Sequence, residues 1–235
     1  MKKIKLLVGV GLIIAGLGLV TGFDKDYHRK ENEISRAKIE DLKNSSDLVK
    51  SEFTERLLNK QYQPRVNYYQ VKSLDNSINY TQIEGFDTSK NITIDGRIWQ
   101  NGGNIFINKD NQLYWLDMGK NIYYAEKRTS NYPSNITKDN DLTYGEEEVI
   151  RALGESNRKI EKIDGGYKSI IDDDLNYGYE IYNENGDFVS SYLENSQGNV
   201  TTTLIKSESD VEDIYNYYLA KIDSMTKVET IEEIK

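Results

Sequence analysis

The chain offers few side chains that could carry out acid–base, nucleophilic or metal chemistry together. It contains one histidine, His28, and no cysteine. His28 lies among Lys25, Arg29 and Lys30, with no serine or cysteine beside it to activate. Without cysteine, neither a disulfide nor a thiolate zinc site can form. We therefore predict a non-enzymatic chain with no catalytic residue, no metal site and no cofactor.

Clusters of acidic and amide residues at 172–174 and 183–187 are the remaining candidates for cation binding. A calcium loop needs oxygen ligands at its first, third and fifth positions and a glycine at the sixth. Counting back from Gly186 places Ile181 at the first position, so the template fails and a solvated turn is predicted. Because two carboxylates suffice for glycoside cleavage, a carboxylate-dependent cell-wall hydrolase stays an alternative function.

The charge balance argues against nucleic acid as a partner. The net charge of the chain is -9, and its first 23 residues carry Lys2, Lys3 and Lys5 but no acid, so the acidic excess lies further on. Binding to phosphate backbones depends on lysine and arginine displacing counterions, and an acidic body repels such polymers.

Residues 1–23 have the pattern of a signal anchor or a signal peptide. Three lysines precede an uncharged run from Leu6 to Val20 that can extend to Phe23, the short end of a membrane span. We predict that residues 6–23 are retained as a single-pass membrane helix with the lysines in the cytoplasm and the body outside. The alternative is secretion after cleavage near Gly22.

Residues 24–60 are predicted to form one uninterrupted helical stalk, since they contain neither proline nor glycine and Pro64 follows as a stop. Ile39, Leu42, Val49 and Phe53, with Ser46 as one polar position, fall at alternating steps of three and four. This seam could pair two stalks into a weak homodimer. Alternatively, the same stripe packs on the chain's own β-domain.

Residues 61–135 are predicted to form an antiparallel β segment of about four to six strands. Short alternating, aromatic-rich runs are separated by Gly, Asn and Asp. Tight turns are expected at Asp95-Gly96 and at 109–111. For Trp99 and Trp115 we expect packing in the core or on a sheet face, and an exposed platform for stacking sugars is the alternative.

Residues 136–227 are predicted to form an α+β segment, followed by a frayed tail at 228–235. A capping box at Thr143 and Glu146 opens a short helix over residues 145–153. Strands follow at about 167–171, 177–182 and 188–193, with a fourth at 200–205. An amphipathic helix beginning near Val211 is expected to close over this C-terminal sheet. Whether the two β segments share one core stays open.

Two stretches resemble known families. Residues 140–195, with GEEEVIRALGE, GYKSII and YGYEIYNENGDFVSSYLE, resemble the repeat of outer-membrane-assembly accessory lipoproteins and β-lactamase-inhibitor proteins. The resemblance implies a binding or assembly role without catalytic residues, although the proline expected after Leu153 and Gly154 is missing. Residues 101–128 resemble the terminal hairpin region of pilin-like envelope proteins, but the apolar run lacks the glutamate that those proteins carry.

These observations predict an α+β protein with an N-terminal membrane helix, a helical stalk, antiparallel sheet, a short helix and a C-terminal amphipathic helix. The predicted function is that of a membrane-tethered, extracytoplasmic cell-envelope protein with a binding or assembly role, and its predicted partner is another envelope protein. A pilin-like surface-assembly subunit is the alternative from a different class.

Overall fold

The computed structural model describes residues 25–127, 142–154, 158–173, 176–196 and 198–234, with side-chain surroundings from residue 33 onward. The predicted anchor or signal peptide at 1–23 lies outside these residues. Among the helices described, none is long and apolar enough to cross a membrane.

The described chain is a mixed α+β protein dominated by antiparallel sheet. Its helices are α1 (Lys25–Lys43), α2 (Leu48–Leu58), α3 (Tyr144–Leu153) and α4 (Val211–Lys221). Its strands are β1 (Arg65–Ser73), β2 (Asn79–Asp87), β3 (Ile92–Trp99), β4 (Gly102–Lys109), β5 (Gln112–Asp117), β6 (Ile122–Lys127), β7 (Lys159–Ile163), β8 (Gly166–Asp172), β9 (Asn176–Asn183), β10 (Phe188–Asn195), β11 (Gly198–Glu208) and β12 (Thr226–Lys227).

The chain divides into two compact units that differ from the segments predicted along the sequence. Unit 1 comprises Met1–Tyr62 and Thr137–Thr201, and unit 2 comprises Gln63–Ile136 and Thr202–Lys235. Each unit is therefore built from two separate stretches of chain, and α4 belongs with β1–β6 rather than with β7–β10.

The predicted single helix over residues 24–60 is wrong, because the chain breaks between α1 and α2. Asp47 caps α2 by accepting hydrogen bonds from the backbone N–H groups of Val49 and Lys50. At the end of α1, the Asn44 side chain donates to the carbonyl of Glu40 at 2.9 Å. Short polar side chains of this kind compete with helical hydrogen bonds, and the run Asn-Ser-Ser-Asp at 44–47 offers several of them.

Helices α1–α3 and the strands of unit 1 enclose one apolar core. Phe53 and Leu57 of α2 are fully buried and pack with Val149 and Leu153 of α3. Gly145 permits the close approach of α3 to α2, since a Cβ there would lie 2.4 Å from the carbonyl oxygen of Leu58. The predicted capping box is confirmed, with Thr143 and Glu146 each bonding the other's backbone N–H.

In the sheet of unit 1, strands β7 to β10 pair in sequence order as antiparallel neighbours. Strands β8, β9 and β10 confirm the three predicted runs. Strand β7 was missed, because its sequence KIEKI is short and largely charged. Its Ile160 nevertheless reaches the core.

Unit 2 is an antiparallel meander with one helix on one face. Strands β1 to β6 pair in sequence order. The apolar stripe of α4 packs on the isoleucine-rich face of these strands through Val211, Tyr215 and Tyr218. The expectation that this helix covers the C-terminal sheet is wrong, because its stripe meets the apolar side chains of β1–β5.

The tail of the chain is ordered rather than frayed. Thr226 and Lys227 pair in parallel with Ile122 and Tyr123 of β6. Ile234 is buried, with 7% of its surface exposed. Apolar burial and edge pairing therefore hold the segment that follows α4.

The turns of unit 2 depend on a repeated sequence pattern. In Asp87–Asn91 (DTSKN) and again at residues 117–121 (DMGKN), the aspartate side chain accepts two backbone N–H bonds from the turn. Asn91 and Asn121 close the two turns at φ values of 53° and 56°. The turn at 109–111 is confirmed, whereas Asp95 and Gly96 lie inside β3 and do not form a turn.

Candidate binding face

The sheet of unit 2 has a second face, opposite α4, on which aromatic and polar side chains are arranged in rows. Successive residues of a strand point to opposite faces. Ile94, Ile105 and Leu116 face the core under α4, so their neighbours Asp95, Phe106 and Trp115 face away from it. We call this surface the aromatic face. Its members are Tyr80, Glu84, Asp95, Arg97, Trp99, Asn104, Phe106, Trp115 and Tyr124.

Three aromatic rings form a row across β4, β5 and β6. Phe106 pairs in register with Trp115, and Trp115 with Tyr124. Their ring centroids are 5.0 and 5.7 Å apart. All three side chains are half-buried. Because the strands fix the backbone positions, this spacing is set by the sheet.

A polar row runs beside the aromatic row. It lies two residues after the aromatic row in β3 and two residues before it in β4. Arg97 pairs with Asn104 across these strands, and both are exposed. Asp95, which pairs with Phe106, is also exposed and continues the aromatic row toward β2. Together these side chains present a guanidinium, an amide and a carboxylate, all planar hydrogen-bonding groups.

A second aromatic cluster lies at the other side of the polar row. The rings of Tyr80 and Trp99 are 5.9 Å apart, and the guanidinium carbon of Arg97 lies 5.3 Å from the centre of the Tyr80 ring. Trp99 pairs in register with Gly102, whose missing side chain leaves the indole uncovered on that side. Trp99 is 41% exposed.

The electrostatics of the face are set by partial desolvation. Surrounding side chains desolvate Asp95 and raise the pKa of its carboxyl above the usual range, although the residue is open to solvent at its surface. Burial likewise raises the pKa of the Tyr80 phenol. A carboxyl that is costly to ionise favours a ligand that donates a hydrogen bond to it.

Reactive groups are not assembled on this face. Its titratable side chains are two carboxyls, one guanidinium and phenols, with no histidine, cysteine or serine nucleophile among its members. Over the described ranges, no group of three acidic or histidine side chains is arranged to hold a metal ion. The arrangement suits recognition by stacking and hydrogen bonding.

The four residues of the predicted helix-pairing seam lie in unit 1. Ile39 and Phe53 are buried in its core, and Leu42 and Val49 pack against that core in part. The ring of Phe53 lies 4.7 Å from that of Tyr167. The stripe thus packs on the chain's own domain, which was the second of the two interpretations. Pairing of two chains through it stays a prediction.

Unit 1 contains two ionic clusters, one partly buried and one buried, that sequence reasoning missed. In the first, Lys60 bonds Glu148 at 2.9 Å and Asp187 at 3.1 Å, and Arg151 bonds Glu148 at 3.0 Å. Burial alone raises the pKa of Glu148, but the charges of Arg151 and Lys60 outweigh it and lower that pKa to about 2.

The second cluster joins Arg158 to strand β9. Its guanidinium bonds Glu180 at 2.6 Å, and the same carboxylate accepts a hydrogen bond from the Tyr182 hydroxyl at 2.6 Å. Ser169 connects the cluster to α3 by donating to the carbonyl of Ala152. All four side chains are buried, so the cluster is closed to a large ligand and holds the interior of unit 1.

Comparisons with known proteins define no family. No family model matches the chain, and no curated protein matches it. The two resemblances seen in the sequence therefore stay without a family to support them.

Several solved structures are similar to parts of the chain at low sequence identity. An uncharacterized conserved protein from Thermus thermophilus is 6% identical, with 67% of this chain and 85% of that chain covered and a TM-score of 0.40. A chain of the Pseudomonas aeruginosa MucA/MucB complex is 10% identical over 71% of this chain and 59% of its own length, with a TM-score of 0.37. LprF from Mycobacterium bovis is 12% identical, with coverages of 68% and 91% and a TM-score of 0.36. Likenesses of this size carry no argument about function.

Proposed function

We propose that the chain is a non-enzymatic binding protein of the cell envelope. Residues 6–23 tether it to the membrane, its body lies outside, and the aromatic face of unit 2 engages an envelope component. The tether and the orientation rest on the apolar run behind Lys2, Lys3 and Lys5. The binding role rests on the aromatic face.

One observation carries the binding role. Both tryptophans of the chain lie on the sheet face that α4 leaves uncovered, in the company of Phe106 and Tyr124. Large aromatic side chains stabilise a domain most when they are buried in its core, and here the core is built from isoleucine, leucine, valine and tyrosine. A contiguous set of accessible rings is typical of an interaction surface.

Pelleting with isolated cell envelopes tests this function. The full chain, solubilised in a detergent without sugar headgroups, should co-sediment with envelopes. The combined variant Trp99→Ala, Trp115→Ala should lose most of that binding. Tyr177→Ala is the matched control, because Tyr177 is a similarly exposed aromatic residue, at 44%, on a strand of unit 1. Equal sedimentation of all three proteins would contradict a binding role for the face.

Fractionation tests the tether separately. The unprocessed chain should remain in the membrane fraction, and its body should be cut by protease added outside intact cells. A shortened chain beginning near Phe23 and found in the culture medium would instead support the secreted alternative.

The other two alternatives have their own readouts. Surface polymers released by shearing would favour the pilin-like subunit. Turnover of cell-wall sugars that is lost on replacing one aspartate or glutamate would favour the hydrolase. No described feature favours either over binding.

A further inference from the structure

The spacing of the rings on the aromatic face fits a chain of sugar rings. Phe106, Trp115 and Tyr124 follow one another at 5.0 and 5.7 Å, comparable to the length of one pyranose. The C–H groups on one face of a sugar ring are apolar and can pack against the face of an aromatic ring. The ring planes are inclined to one another by 54° and 42°, so the row offers consecutive sugars a stepped apolar surface along one direction.

The polar row supplies what a sugar needs beside a stacking surface. Arg97 donates, Asp95 accepts when it is ionised, and the Asn104 amide does both. All three are exposed. Arg97 and Asn104 lie between the two aromatic clusters, and Asp95 lies at the end of the aromatic row. The hydroxyl and acetamido groups of a sugar both donate and accept hydrogen bonds. They can therefore pair with all three side chains when the bound sugar displaces water from them.

The charge of the face limits the kind of polymer. Its members carry the carboxyls of Glu84 and Asp95 against the guanidinium of Arg97. By register the carboxyls of Asp117 and Glu126 and the guanidinium of Arg65 lie on the same face, on a chain whose net charge is -9. A polyanion would meet repulsion here. An uncharged glycan meets none.

The same side chains argue against a protein partner or a membrane surface on this face. The centre of a protein–protein interface is depleted of charged side chains, whereas Asp95 and Arg97 lie in the middle of this face. A membrane surface favours lysine and arginine around an apolar patch, which the acids here oppose. The rings are held by paired strands, so little conformational entropy is lost when a ligand binds.

We propose that the aromatic face binds an uncharged glycan strand of the cell envelope, with Trp99, Phe106, Trp115 and Tyr124 as stacking platforms and Asp95, Arg97 and Asn104 as hydrogen-bonding groups. This inference rests on the proposed function and names the class of its ligand.

The test uses defined oligosaccharides rather than envelopes. Equilibrium dialysis of the full chain, in a detergent without sugar headgroups, is carried out against hexamers of β-1,4-linked N-acetylglucosamine and of β-1,4-linked glucose. Polyglycerol phosphate is the anionic probe. We expect saturable binding to at least one neutral hexamer and weaker binding to the polyanion.

Variants then locate the binding. Trp99→Ala and Trp115→Ala should each weaken it at least about tenfold, the effect of losing about 1.4 kcal/mol. Tyr177→Ala should leave it unchanged. Asn104→Ala at an exposed position, which is expected to fold normally, should weaken it as well. This last variant keeps the test valid if a tryptophan variant misfolds.

Three results would overturn the inference: no binding to either hexamer, binding that Trp99→Ala, Trp115→Ala and Asn104→Ala leave unchanged, or preference for polyglycerol phosphate. Envelope pelleting separates this failure from that of the proposed function. If the tryptophan variants no longer co-sediment with envelopes while neither hexamer binds to the unmodified chain, the binding role stands and the ligand is of another class. If neither assay detects binding, both proposals fail.

Discussion

Unit 1 and unit 2 differ in where their ion pairs lie. In unit 1, charged groups lie inside: Arg158 and Glu180 are paired among buried aromatic rings, and Lys60 joins α2 to Glu148 of α3. In unit 2, the cluster under α4 consists of apolar and tyrosine side chains. Its ion pairs, from Lys90 and Lys109 to Glu212, are partly exposed. The opposite face of its sheet carries the exposed Asp95, Arg97 and Asn104 beside the buried Gln82, Asn108 and Asp117.

This difference assigns the units different tasks. Buried ion pairs contribute little net stability over apolar packing, but they penalise every arrangement that separates the partners. Unit 1 is thus specified by interactions that join distant parts of the chain. Unit 2 has an apolar core under α4, and only part of its second face is exposed.

The largest expected effect comes from breaking the inner cluster of unit 1. Glu180→Ala removes the partner of Arg158, whose side chain is 3% exposed, and should cost about 3–5 kcal/mol of unfolding free energy. Urea unfolding of the full chain in micelles measures it. Asp95→Ala, the removal of an exposed carboxyl from unit 2, should change stability by less than about 0.5 kcal/mol. Similar losses for both would contradict the comparison.

Acid should weaken unit 1 through Glu148. The pKa of this carboxyl is lowered to about 2, so its ionised form stabilises the fold at pH values above the unfolded pKa. That stability, about 3 kcal/mol, should be lost as the pH falls from about 5 toward 2. Unfolding measured between pH 7 and 2.5 should show this loss. Lys60→Met should reduce it, and an unchanged pH profile in that variant would exclude the coupling.

The helix caps give a smaller and matched pair of effects. Thr143 of unit 1 forms a reciprocal capping box with Glu146, whereas Asp210 of unit 2 accepts one backbone bond, from Asp213. Replacing either by alanine should cost about 1 kcal/mol, with Thr143 at the upper end of that range. Thermal midpoints of the two variants measure the difference. A larger loss for Asp210→Ala would contradict the assignment of the stronger cap to unit 1.

A small effect on stability is also expected at Trp99. Its indole is 41% exposed and lies beside Gly102, so Trp99→Ala should cost less than about 1 kcal/mol while removing a platform for the ligand. Phe53→Ala in the core of unit 1 is the contrast, since it should cost about 3–5 kcal/mol. Unfolding of the two variants side by side tests whether Trp99 is retained for binding rather than for folding.

Local sequence patterns predicted the strands well and the long-range assembly poorly. Alternating isoleucine and tyrosine located β1–β6 and β8–β11, because one buried face requires a period of two. The break between α1 and α2 was signalled by Asn-Ser-Ser-Asp at 44–47 but outweighed by the absence of proline and glycine. The repeat Asp-x-x-Lys-Asn at 87–91 and 117–121 would have located two turns of unit 2.

The candidate site was predictable only in its residue types. Trp99 and Trp115 stood out in the sequence, with core or sheet-face packing and a sugar platform both open. Their common face follows from the register of β3 to β5, which a pattern within one strand does not fix. The pairing of Lys60 with Glu148, 88 residues apart, likewise depends on tertiary structure alone.

The intrinsic fluorescence of the unmodified chain tests the central claim most directly, because its only two tryptophans both lie on the aromatic face. A neutral β-1,4-linked oligosaccharide is titrated into the full chain in micelles while tryptophan emission is recorded. We predict a saturable change in intensity and wavelength, since stacked sugars displace water from both indoles. Emission that stays constant at saturating oligosaccharide would contradict glycan binding by this face.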